Sequence, residues 1–201
     1  MGGNGENERC IVANRAALFL RGWLYTGTPA PLGATTACTS AHMTLHVREL
    51  PALRLAYLRH TGDYGPALGD LWNALGRWCE SRGLGAPQPG YLGLSHDDPA
   101  CTPAGQCRYD ACVPIGIGMR PGPDVQVQDF AGGPHACMRF QGVGADFGAA
   151  WKHLLQERMP AEGLKPAPRA VVELYEADFA VDPDAGTFAC WLCVPLLQHA
   201  R

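Results

Sequence analysis

The stretch Val171-Val172-Glu173-Leu174-Tyr175-Glu176 decides how the fold of this chain is read. β-Branched and aromatic residues dominate it, which is the composition of a strand. Side chains alternate along a strand, so Val171, Glu173 and Tyr175 share one face and Val172, Leu174 and Glu176 the other. If the first face is covered, Glu173 is a carboxylate in apolar surroundings beside an aromatic ring. Such a group attracts a cation or serves as an acid or base. If that face meets water, Glu173 is an ordinary surface residue and Val172 with Leu174 forms the core face. The rest of the chain separates the two readings.

After this strand, Asp182-Pro183-Asp184 reads as a loop and Phe188 to Leu197 as a final strand. Before it, Phe147, Ala150, Trp151, Leu154 and Leu155 fall at helical spacing, with Asp146 as N-cap and a stop near Pro160. Ala136 to Phe140 is a strand, and Gln141 to Ala145 a turn. The same order occurs earlier. Leu53 to His60 alternates as a strand, and Thr61 to Pro66 is turn chemistry. Leu68, Leu71, Trp72, Leu75, Trp78 and Cys79 then mark a helix that Gly83 ends. Tyr91 to Leu94 and Arg108 to Val113 follow as strands, with a loop from His96 to Gly105 between them.

Cys112-Val113-Pro114-Ile115 is matched by Cys193-Val194-Pro195-Leu196 at an offset of 81, and Trp72 by Trp151 at 79. This is an internal duplication of a strand–helix–strand–strand module. The expected class is α+β, with repeats at about 43–117 and 124–199. Their strands should join into one antiparallel sheet carrying both helices on one side, with a ligand groove between the repeats.

Composition narrows the function. Of the 201 residues, 47% are hydrophobic and 17% charged, enough for a large core and unlike a disordered chain. A net charge of −3 gives no basic footprint for nucleic acid. No apolar run approaches the roughly 20 residues of a membrane helix. The nine cysteines match no zinc spacing, so neither a metal nor another cofactor is expected. Cys190-Trp191-Leu192-Cys193 fits C-x-x-C, but residues three apart on a strand face opposite ways, so these two read as core fillers rather than a redox pair. Reduced thiols suit the cytoplasm.

Residues 1–42 lack the alternation that begins at Met43. Their one apolar patch, Ala16 to Leu20, is bounded by Arg15 and Arg21 and is too short for a secretory signal. A disordered extension ahead of a domain spanning 43–201 is the expectation.

Several motifs in order carry a family resemblance: Leu50-Pro51-Ala52, Tyr57-Leu58-Arg59-His60-Thr61-Gly62-Asp63-Tyr64, Asp97-Asp98-Pro99, Cys107-Arg108-Tyr109-Asp110-Ala111-Cys112 and Glu173-Leu174-Tyr175. Together they resemble the GyrI-like small-molecule-binding domain, the effector-binding half of AraC-type and MerR-type multidrug regulators, which also occurs alone. The resemblance covers about Met43 to Leu197. It implies a duplicated α/β module with a pocket between the repeats, in which the acidic residue matched by Glu173 meets cationic or aromatic ligands. Regulators of this kind carry a DNA-binding region ahead of the domain. Residues 1–42 show no paired amphipathic helices, so direct contact with nucleic acid is not expected.

The ligand-binding candidates are thus Glu173, Tyr175, Trp151, Trp191 and Tyr109. The leading expectation is a binder of hydrophobic, aromatic or cationic small molecules, a drug or toxin sensor or sink. The resemblance also implies an alternative, a hydrolase of cyclopropane-containing alkylating natural products, with Glu173 as base and Tyr109 or Tyr175 as acid. A further alternative is a gyrase inhibitor acting through its surface, with DNA gyrase as partner. Arg59 and His60, at a strand end, are expected to make structural hydrogen bonds, and Asp110 to pair with Arg108.

Overall fold

The computed structural model describes residues 44–84, 90–176, 181–182 and 185–197. The expected N-terminal extension lies outside them.

The first repeat comprises β2 (Leu53–Thr61), α1 (Ala67–Ser81), β3 (Gly90–Ser95) and β4 (Arg108–Pro114), preceded by a short β1 (Leu45–Leu50). The second comprises β6 (Gly133–Gly142), α2 (Phe147–His153), β7 (Val171–Glu176) and β9 (Thr187–Pro195), preceded by β5 (Gln126–Phe130). A two-residue β8 (Val181–Asp182) pairs with β9. α1 stops where Gly83 takes φ +63°, a conformation cheap only for glycine, and Leu84 N–H closes on Cys79 O at 3.0 Å. Asp146 stands at the start of α2 as expected, without a side-chain capping bond. α2 continues through a π turn, Leu154–Arg158, into a last α turn, α3 (Met159–Ala161), so the chain remains helical just past Pro160.

All strands join one antiparallel sheet in the order β1-β6-β9-β7-β3-β4-β2-β5. Read from either end, this order visits the equivalent strands of the two repeats, so the duplication appears as pseudo-twofold symmetry about the β7–β3 seam. β1 and β5, which the sequence pattern did not reveal, are exchanged. Each pairs with the other repeat, β1 with β6 and β5 with β2. Only Pro51 and Ala52 join β1 to β2, and Leu50 to Leu53 can span at most about 10 Å. The two ends of the path must therefore lie close together, and the sheet is curled. Where the links cross, Gly132 packs on the backbone of residues 50–52 so closely that a Cβ would lie 2.4 Å from Leu50 O.

Curling gives the sheet two dissimilar faces. α1 packs Trp72, Leu75 and Trp78 on Tyr91, Tyr109, Ala111 and Val113. α2 and its extension pack Ala150, Leu154 and Met159 on Met138, Phe140, Cys190 and Leu192. Both helices thus cover the same face. The other face forms its own core of Leu50, Leu55, Leu92, Cys112, Cys137, Val172, Leu174 and Cys193. No helix among the described residues is long and apolar enough to cross a membrane.

Candidate functional site

One row of side chains crosses the helix-covered face through paired positions: Leu45, Met138, Leu192, Glu173, Gly93, Ala111, Leu58. Glu173 stands at its middle, at the seam between the repeats. It is the sole charged residue in a row of aliphatic and small ones, and it is 7% exposed.

Its immediate neighbour is unusual. Glu173 pairs directly with Gly93, 80 residues earlier. That offset falls between those of the tryptophan and cysteine pairs, so Gly93 is the repeat counterpart of Glu173. Where symmetry would set a second side chain against the carboxylate, the first repeat has none. The vacancy is filled: a Cβ at Gly93 would lie 2.1 Å from Tyr109 Oη and 2.8 Å from Glu173 Oε2.

Three groups hold the carboxylate. Tyr109, on β4, donates its hydroxyl to Glu173 Oε2 at 2.7 Å. Tyr175, two residues along the same strand face, donates to the same oxygen at 3.0 Å. Trp72, on α1, donates its indole N–H to Tyr109 Oη at 3.2 Å and meets the Tyr175 ring edge-on at 5.6 Å. Tyr91 and Tyr64 complete the aromatic surround through edge contacts to Trp72 and Tyr109. Tyr175 touches the clusters under both helices, which fixes this group at their junction.

Burial pushes the Glu173 carboxyl above its ordinary value, and the two tyrosine hydroxyls pull it only part of the way back. Burial, reinforced by the Glu173 charge, raises both tyrosine hydroxyls well above theirs, so both remain neutral donors. No Arg, Lys or His among the described residues forms an ion pair with Glu173. Oε1 accepts no hydrogen bond from them either. The arrangement is a desolvated carboxylate set among aromatic side chains and held through one oxygen by two tyrosine hydroxyls.

Of the residues singled out from sequence, Glu173, Tyr109 and Tyr175 come together. Trp151 lies half-buried on α2 against the second cluster, edge-on to Phe147 at 6.3 Å, without bond or ring contact to the carboxylate group. Trp191 is a correction. It pairs with Leu174, so it points with Leu174 to the opposite sheet face. There its N–H bonds Glu176 Oε2 at 2.9 Å, and the Arg48 and Arg139 guanidiniums lie 4.6 and 5.5 Å from its ring centre. The Asp110–Arg108 pair is also corrected: the two residues lie two apart on β4, but each finds its ion-pair partner elsewhere. Asp110 is fully buried and receives both fork nitrogens of Arg59, at 2.6 and 2.7 Å, with His96 at 2.6 Å and Gln128 at 3.0 Å. Arg108 forks onto Asp97 instead. His60 bonds Asp63 O, the structural role expected of it. Cys190 and Cys193 lie in the cores of opposite faces, as alternation requires.

Sequence reasoning missed Trp72 as a partner of the site and Gly93 as its floor. The spacing of Trp72 signalled only a buried helix face, and a glycine within a short strand gave no hint of the neighbour that fills its space.

Comparison with known proteins agrees with this architecture. Residues 43–197 match the model of the GyrI-like small molecule binding domain. YosT, a protein of the SPbeta prophage of Bacillus subtilis strain 168, is 29% identical over 134 residues, 66% of this chain and 89% of its own length. The crystal structure of the EcmrR C-terminal domain superposes with a TM-score of 0.62 at 14% identity, covering 79% of this chain and 99% of that one. SAV2435 bound to tetraphenylphosphonium superposes at 0.50 with 15% identity, covering 77% and 94%. The chain belongs to the GyrI-like small molecule binding domain family.

Proposed function

From that membership we propose that the Glu173 site binds hydrophobic, aromatic small molecules that carry a positive charge, so that the protein serves as a sensor or sink for them. One observation carries the reading: a buried carboxylate among aromatic rings with no cationic partner among the described residues. An unpaired buried charge is costly unless something neutralises it. Hydrated metal ions suit an oxygen cage, whereas aromatic walls suit a delocalised organic cation. A fold neighbour described as bound to tetraphenylphosphonium supports the same class.

The test is calorimetric titration with tetraphenylphosphonium and with a neutral aromatic of similar size. Binding of the cation that weakens on Glu173→Gln, with the neutral compound unaffected, supports the proposal. Equal affinity for the cation in both proteins refutes it.

The 2.7 Å contact between Tyr109 and Glu173 favours one second reading, hydrolysis of a cyclopropane-containing alkylating compound. The free Oε1 would take a proton from water while a tyrosine hydroxyl donates to the opening ring. In that case Glu173→Gln keeps binding and loses turnover, which separates the two readings.

A further inference from the structure

On the sheet face away from the helices another paired row runs His46, Cys137, Cys193, Val172, Leu94, Asp110, Arg59. Cys137 on β6 and Cys193 on β9 are adjacent in it and point the same way. The type of pairing follows from the ladder. Leu196 N–H bonds Pro134 O at 2.9 Å, and 134 with 196 continues the β6–β9 register, in which partner numbers always sum to 330. Hydrogen-bonded and non-hydrogen-bonded pairs alternate, so 137 with 193 is a non-hydrogen-bonded pair. Such pairs bring Cα atoms to about 4.5 Å, within the range a disulfide spans. Both side chains are buried in the core of this face, and the neighbouring Cys193 thiol together with the Arg48 guanidinium draws the Cys137 thiol below its ordinary value. Both cysteines are free.

We propose that Cys137 and Cys193 are a redox modification site, at which a peroxide-class oxidant converts two thiols into one cross-strand disulfide. The Cys137 thiolate attacks one peroxide oxygen. An S–O bond forms as the O–O bond breaks, and the departing hydroxide takes a proton to become water. The Cys193 sulfur then attacks the sulfenic sulfur of Cys137. The S–S bond forms, the S–O bond breaks, and the thiol proton of Cys193 leaves with that oxygen as a second water. Two thiols are oxidised and one peroxide is reduced to two waters.

Among the described residues no other two cysteines face each other across a strand register. Cys112 lies in the same core, but on the far side of β7 and β3 from Cys193. Cys190 faces the helices.

The experiment treats the reduced full chain with hydrogen peroxide, alkylates it in denaturant, and maps tryptic fragments by mass spectrometry. The expected result is loss of two of the nine alkylatable thiols and a link between peptides 109–139 and 170–201. Fragmentation should place that link at Cys137 and Cys193, and dithiothreitol should reverse it. Cys193→Ala should abolish it and Cys190→Ala should leave it. Should either variant fold poorly, the wild-type fragment map decides alone. If Cys137 and Cys193 stay alkylatable while exposed Cys101 is oxidised, or if Cys193 is linked to any other cysteine, the proposal is overturned.

Discussion

Replacing Gly93 by alanine adds one methyl group at the middle of the site. That methyl carbon would fall 2.1 Å from Tyr109 Oη and 2.8 Å from Glu173 Oε2, so the tyrosine hydroxyl must move. Moving it breaks the 2.7 Å bond to Glu173 and the 3.2 Å bond from Trp72. Overpacking a core costs about 1–3 kcal/mol. Loss of a hydrogen bond to a charged group costs about 1.5–3 kcal/mol, and of a neutral one about 0.5–1.5 kcal/mol. Removing a strand glycine returns about 0.5–1 kcal/mol. Even the lower figures leave a net loss of about 2 kcal/mol, or about 4–8 °C in melting temperature for a domain of this size. Urea titration followed by tryptophan fluorescence measures it directly. A Gly93→Ala protein with an unchanged midpoint would refute the packing of Tyr109 and Glu173 over Gly93, and with it the account of why the site holds a single carboxylate.

Glu173→Gln should flatten one component of the pH dependence. The folded pKa lies above the ordinary value of 4.5, so the folded state keeps the proton longer, and stability falls as pH rises from that value toward the folded one. The glutamine protein should lack this slope in urea titrations across acidic and neutral pH. Asp110 has the opposite sign. Burial alone would raise it, but bonds from Arg59, His96 and Gln128 hold it at about 2. Its contribution is therefore present above its ordinary 3.8 and lost as pH falls toward 2, and Asp110→Asn should cost about 2–3 kcal/mol at neutral pH, reduced by the partial exposure of Arg59. Trp72→Phe keeps most of the ring and removes its N–H donor, so about 0.5–1.5 kcal/mol should be lost by chemical denaturation.

The strand carrying Glu173 was legible because alternation and β-branched composition are local signals. The duplication was legible because Cys-Val-Pro and the helix tryptophan recur at nearly one spacing. What escaped required register. Trp191 was expected beside Glu173 as a large residue on a nearby strand, yet which face it takes follows only from its pairing with Leu174. Arg59 and Asp110 are 51 residues apart, and nothing in either neighbourhood marks the other as its partner. β1 and β5 are short edge strands, partly exposed, and their partners belong to the opposite repeat, so their local pattern was weak. The π turn after His153 leaves no mark in the spacing of Leu154 and Leu155.

The exchanged edge strands bear on how the chain acquires its structure. Leu45 meets Met138, 93 residues away, and the β2–β5 pairing also crosses from one repeat to the other. Pairings so distant in sequence require large loops to close before they return any stabilisation, which slows folding. Neither half can finish its own sheet, because each lends its leading strand to the other and needs one back. The halves should therefore form together, in one cooperative step rather than as two independent foldons. A single repeat synthesised alone could complete its sheet only on a second copy of itself, so the tandem chain is equivalent to a strand-exchanged homodimer whose subunits have been joined end to end.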